Sequence, residues 1–246
     1  MNIPYTHVDS EHTVDGARTV LPIVFASAKP ASLLDVGCGT GSWLKAAKDF
    51  GITDVWGVDG VKLQPEELHV PPERIKHYDL TQSWSLERRF DAAVCLEVAE
   101  HLDGAFGPTL IDALVRHSDV ILFSAACPGQ PGQHHVNCRW PAYWQALFNE
   151  RGYVCEDHLR DRIWDDSRVE PWYRQNLFLA RRDPMGAGSE PRIRSLVHPA
   201  MWNFESGVSW APFAEHLRQI ENGVMPVKWC LTLPAKALWA KVNRNL

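Results

Sequence analysis

Three groups of residues in this 246-residue chain have types and spacings suited to chemistry. The first is Leu33-Leu34-Asp35-Val36-Gly37-Cys38-Gly39-Thr40-Gly41, an apolar run that ends in closely spaced glycines. Glycines in such a turn let a ligand approach the backbone with no Cβ in the way. N–H groups exposed at a following helix start favour an anionic or polar ligand end. Asp59 closes the next apolar run 22 residues after Gly37, where a carboxylate can accept both hydroxyls of a ribose. The second group is Glu97-Val98-Ala99-Glu100-His101, and the third is Gly132-Gln133-His134-His135. Glu97, Glu100 and His101 share one face if a helical turn forms there. They are credible ligands for Mg2+ or another divalent cation, the imidazole also admitting Mn2+ or Zn2+. With no metal, His101, His134 or His135 can act as the base toward a reacting hydroxyl. Both uses stay open.

The elements that must position these groups alternate. Ala31–Val36, Asp54–Val58, Arg74–Tyr78, Phe90–Leu96 and Val120–Ala126 read as short buried strands. Ser42–Phe50, Thr109–His117 and Trp140–Gly152 read as helices, the last with Pro141 in its first turn and Gly152 at its end. Two late strands, Tyr153–Leu159 and Asn176–Arg181, bracket a polar, aromatic insertion at Ile163–Gln175. This alternation implies an α/β fold with a doubly wound, Rossmann-like, mostly parallel sheet. Residues 183–190 contain Pro184, Gly186 and Gly188, a linker composition. The expected division is therefore a main domain over 1–182 and a helical C-terminal extension over 183–246, packed on the domain or on a partner.

Composition bounds the function. The chain is 45% hydrophobic and 22% charged, ordinary for a globular protein. No apolar run approaches the roughly 18 residues that a membrane span needs. The N-terminus lacks a signal-peptide pattern, so a cytoplasmic location is expected. A net charge of -5 argues against a broad surface for duplex nucleic acid. The six cysteines form no CxxC pair and read as reduced thiols. Beyond Glu221 the tail has basic residues and tryptophans but no acids. Peripheral contact with an anionic membrane is open there, as is packing on the domain or in a homodimer; Pro226 and Pro234 favour packing by interrupting a long amphipathic helix.

The glycine spacing is G-x-G-x-G, not the G-x-G-x-x-G preferred by nicotinamide dinucleotides. With Asp35 two residues before the first glycine, it resembles motif I of class I S-adenosylmethionine (SAM)-dependent methyltransferases. The resemblance continues in order through Asp59, Tyr78-Asp79-Leu80 and Phe90-Asp91-Ala92-Ala93-Val94-Cys95-Leu96-Glu97, and covers roughly residues 15–182. It implies SAM as cofactor. Gly37 and Gly39 would line its methionine and ribose portion, Asp35 would anchor the amino group, Asp59 the ribose, and Asp79 with Leu80 the adenine. Cys38, Gly60, Leu96 and Glu97 would complete the surroundings. Arg18 matches an arginine that helps hold the cofactor in ubiquinone-biosynthesis O-methyltransferases. The Glu-x-x-Glu-His pattern is similar to the metal site of those enzymes and of small-RNA 3'-terminal 2'-O-methyltransferases, which implies Glu97, Glu100, His101 and His135 as ligands. Leu-Glu-Val-Ala stands where DNA amino-methyltransferases carry Asn/Asp-Pro-Pro-aromatic, which disfavours a nucleobase amine. The expected reaction is O-methylation of a sugar, glycan or other small molecule. A terminal-nucleotide RNA 2'-O-methyltransferase, a non-catalytic SAM-binding subunit and a nicotinamide oxidoreductase are the alternatives. Within the aromatic insertion, Trp164, Trp172 and Tyr173 are candidates for stacking on an acceptor.

Overall fold

The computed structural model describes residues 13–203. Seven strands form one sheet: β1 (Ser32–Val36), β2 (Asp54–Asp59), β3 (Ile75–His77), β4 (Ala92–Leu96), β5 (Val120–Ser124), β6 (Tyr153–Glu156) and β7 (Phe178–Arg182). Their order is β3-β2-β1-β4-β5-β7-β6. The neighbours from β3 to β5 pair in parallel, while β7 lies antiparallel to both β5 and β6. This is the doubly wound, mostly parallel sheet that the alternation of elements implies.

Alternate residues of the central strands feed two cores, as the two-residue period of a strand requires. Leu34, Val36, Ala93, Cys95, Ile121 and Phe123 face helices α3 (Gly107–His117) and α4 (Pro141–Asn149), meeting Leu110, Leu114, Trp144 and Phe148. Leu33, Val55, Ala92, Val94 and Leu122 face the other way, toward α1 (Val14–Val24) and α2 (Ser42–Asp49), through Val20, Leu21, Trp43 and Leu44. All five residues of β1 and of β4 are buried, and this explains why those stretches read as continuous apolar runs.

Two sequence readings differ from the structure. The strand expected over Tyr153–Leu159 stops at Glu156, and α5 (His158–Ile163) follows. Arg160 lies in this helix with its guanidinium buried, donating to Asp157, to the Gln175 carbonyl and to the Arg194 carbonyl. The insertion carries its own short helix, α6 (Pro171–Asn176). The linker-like composition after Arg182 is a turn rather than a boundary, with Gly188 at φ 82 and Asp183 accepting from the Met185 and Gly186 N–H groups. Beyond it, Glu190 accepts from Gln145, Asn149 and Cys155, and Ile193 joins the core. The first compact unit runs to Met201. The basic, Trp-bearing tail lies outside the described residues.

Candidate active site

The loops after β1, β2 and β4 and the segment after β3 line a cleft at the carboxyl edge of the sheet, where open α/β sheets bind ligands. It encloses about 920 Å3 with its open mouth. The β1–α2 turn needs its glycines: Gly37, Gly39 and Gly41 have φ of 77, 52 and 82, the left-handed region that a Cβ disfavours. A Cβ on Gly37 would also overlap the Val98 side chain. The Gly37 N–H donates to the Val58 carbonyl at 2.7 Å, holding the turn against the end of β2.

Asp59 ties this turn to the next loop. Its Oδ2 accepts the Gly39 N–H at 2.7 Å and its Oδ1 the Val61 N–H at 2.6 Å, while only 6% of the residue is exposed. Asp35 is buried in β1, and its carboxyl is pushed well above the usual range by loss of solvent and by the Asp59 charge. After β3, Asp79 accepts from the N–H and hydroxyl of Thr81, and Asp79 and Leu80 both line the cleft. Cys38, Gly60, Leu96 and Glu97 line it as well. Arg18 does not: it pairs with Asp15 and Asp49 on the outer side of α1 and α2.

Glu97 follows β4 with φ 53, a left-handed conformation that costs a non-glycine residue strain. Its carboxylate accepts from Gln130 Nε2 at 2.7 Å and Asn176 Nδ2 at 3.1 Å. The turn that follows, Ala99–His101, is 3-10 and begins after this kink. Glu97 is therefore not on one helical face with Glu100 and His101, and it does not join them as a ligand. The groups that do converge are Glu100, His101 and His135, each offering a ligand atom within 4.8 Å of the others.

Glu100 is fully buried. The backbone N–H groups of Glu100 and Ala126 and the side chain of Glu97 face its carboxyl, but neither oxygen makes a hydrogen bond of ordinary geometry. Burial first, and the neighbouring Glu97 second, push this carboxyl well above the usual range. Burial and the nearby His135 lower the His101 imidazole to about 4, so it is neutral at physiological pH. The loop carrying His135 is clasped to the 3-10 turn. The Val136 and Asn137 N–H groups both donate to the Glu100 carbonyl, at 2.9 and 3.0 Å, and Asn137 Nδ2 donates to the Ala99 carbonyl. His134 is exposed with φ 50 and is not among the residues lining the cleft.

Residues 16–176 match the family model described as a methyltransferase domain. The chain belongs to that family. Among curated relatives of the methyltransferase domain, a dTDP-3-amino-3,6-dideoxy-alpha-D-glucopyranose N,N-dimethyltransferase from Streptomyces fradiae is 39% identical over 75 residues, 28% of either chain. This chain thus matches under a third of that relative's length. Among solved structures, the sugar N-methyltransferase from Streptoalloteichus sp ATCC 53650 is 20% identical with a TM-score of 0.51, over 74% of this chain and 99% of that one. Magnesium protoporphyrin IX methyltransferase from Synechocystis PCC 6803, solved with S-adenosylhomocysteine (SAH), is 17% identical with a TM-score of 0.51, over 73% and 90%. At these identities the likeness speaks for the fold.

Of the aromatic candidates in the methyltransferase domain, Tyr173 lines the cleft and accepts from Trp43 Nε1 at 3.3 Å. Trp164 packs on His198 instead, and Trp172 on the core beside α1. Sequence reasoning missed Gln130, Asn137, Gln175 and Asn176. Neutral amides carry no signal of their own until their partners are known.

Proposed function

We propose that the chain binds SAM in this cleft and transfers its methyl group to a hydroxyl of a sugar, glycan or other small molecule. The charge of the cleft carries this reading. Asp35, Asp59, Asp79 and Glu97 line it, and among the described residues no Lys or Arg does. A nicotinamide dinucleotide would bring a pyrophosphate against Asp59 and Asp79 with no lining cation to meet it, at a large electrostatic cost. SAM carries no phosphate and has a sulfonium and an ammonium, which suit those acids. The three positive-φ glycines leave the backbone open to it, and each Asp59 oxygen retains acceptor capacity for a ribose hydroxyl.

SAM, when bound, supplies an electrophilic methyl. The protein's part is alignment and proton management. With Asp79 after β3 and Asp59 at the end of β2 holding the nucleoside, the strand order β3-β2-β1-β4 directs the reacting end toward β4, where Glu97 and His101 stand. A neutral His101 accepts a hydrogen bond from the acceptor hydroxyl. It is a weak base, yet the hydroxyl becomes strongly acidic as its oxygen bonds to carbon, so His101 can take the proton at that stage. Labelled SAM incubated with a pool of sugars and small hydroxylated metabolites tests this, with mass spectrometry of the products. Label in a hydroxyl ether is the expected result. Label in an amine would replace oxygen by nitrogen, as in the amino-sugar relative, and cofactor binding with no transfer to any acceptor would favour a non-catalytic subunit.

The unbonded carboxyl of Glu100 favours a second, metal-assisted reading of the same site. Glu100, His101 and His135 form a two-histidine, one-carboxylate set, which favours Mn2+ or Zn2+ over Mg2+. A divalent ion there would lower the pKa of an acceptor hydroxyl. Glu97 is left out of this set because Gln130 and Asn176 engage its carboxylate.

A further inference from the structure

Behind Glu97 lies a chain of three amides whose polarity is set from its far end. The backbone N–H of His198 donates to Gln175 Oε1 at 2.9 Å. A backbone N–H can only donate, so the Gln175 amide must turn its NH2 group inward. Gln175 Nε2 then donates to Gln130 Oε1 and to Asn176 Oδ1, both at 3.1 Å, and it also contacts Cys127 Sγ. With their carbonyl oxygens occupied in this way, Gln130 and Asn176 must aim their own NH2 groups at the next acceptor. That acceptor is Glu97, at 2.7 Å from Gln130 Nε2 and 3.1 Å from Asn176 Nδ2. Asn176 uses its second N–H on Gln130 Oε1 at 2.9 Å, which locks the two amides together. Gln175 and Asn176 are each 1% exposed. The chain therefore presents two amide donors, one from Gln130 and one from Asn176, to one carboxylate, and that carboxylate lines the cleft from a left-handed backbone position.

We infer that Gln130, Gln175 and Asn176 are positioning residues that hold Glu97 as a fixed hydrogen-bond acceptor at the reacting end of the cleft, so that the acceptor's reacting group must be a hydrogen-bond donor. This rests on the SAM reading above and deepens it. Hydroxyls and amines satisfy the requirement. Carboxylates and phosphates, which would bring only acceptor oxygens to Glu97, do not.

Two nucleosides of known structure separate the possibilities without an identified acceptor. SAH has a neutral thioether at the reacting centre. Sinefungin carries a protonated amine in place of the sulfonium methyl, and this amine probes whatever acceptor faces the transferred group. Calorimetric titration of the full chain should give sinefungin a tighter Kd than SAH by about tenfold, the size of one hydrogen bond to a charged group. Glu97→Gln should reduce that ratio to below about threefold. Asn176→Leu and Gln130→Met should do the same with SAH affinity held, although neither alters the charge of the site. Gln130 is half-buried on a loop, so Gln130→Met decides the matter if Asn176→Leu does not fold. The inference is overturned if both amide variants keep the wild-type ratio while only their melting temperatures fall, since the amides would then be packing alone. It is also overturned if Glu97→Gln keeps the ratio. A wild-type chain that binds neither nucleoside would instead overturn the SAM reading on which the inference rests.

Discussion

At Asp59 one carboxylate accepts the Gly39 and Val61 N–H groups and still faces the cleft. Asp59→Asn would set an amide N–H against one of those donors and remove an acceptor for the ribose, so SAH affinity measured by calorimetry should fall about 10- to 100-fold. His101 makes a prediction with a definite sign. Its imidazole sits at about 4 in the folded chain, against about 6.5 when unfolded. Between those values the unfolded chain binds a proton that the folded one refuses, so stability should decline as pH falls from about 6.5 toward 4. Its ring signals in NMR should hold their neutral positions from pH 8 down to about 5.5; a midpoint near 6.5 would contradict the burial argument. For the metal, Glu100→Gln and His135→Ala should each abolish calorimetric binding of Mn2+ or Zn2+, whereas Glu97→Gln should leave it within about threefold. Asp59, the turn glycines and the Glu-x-x-Glu-His pattern were legible in the sequence because their types and spacing are themselves the signal. That Glu97 leaves the helical face of Glu100 and His101 was not, because nothing in Leu-Glu-Val-Ala encodes a left-handed glutamate.

Among the elements, the 3-10 turn Ala99–His101 and the loop 135–137 act as one unit, joined by two backbone bonds to the Glu100 carbonyl and by the Asn137 amide. Asn137 is 3% exposed, so Asn137→Ala leaves the Ala99 carbonyl short of a donor. A cost of about 1–2 kcal/mol is expected, read as a drop of roughly 2–8 °C in melting temperature, together with weaker metal binding as His135 loosens. The strands from β1 to β5 were legible because burial on both faces makes them continuous apolar runs. The break after Glu156 was not: the helix that follows it buries Arg160 on Asp157, Gln175 and Arg194. Nor was the packing of residues 183–201, where Glu190 and Ile193 reach Gln145, 45 and 48 positions earlier.

For the molecule as a whole, the strand order sets the direction of the chemistry. It places Asp79 after β3, Asp59 at the end of β2, the open turn after β1, and Glu97 with His101 after β4, the succession along which the proposed cofactor would lie. Sequence order alone suggested the same succession, since each motif follows its own strand; the charge of the assembled cleft emerged only when the four acids were brought together without a Lys or Arg among the described lining residues. Titration of the full chain with SAM in a calorimeter, beside NADH as control, tests that most directly. Saturable binding of SAM at one site per chain, weakened in Asp59→Asn, with no heat from NADH, is the predicted result. Saturable binding of NADH with none of SAM would contradict it.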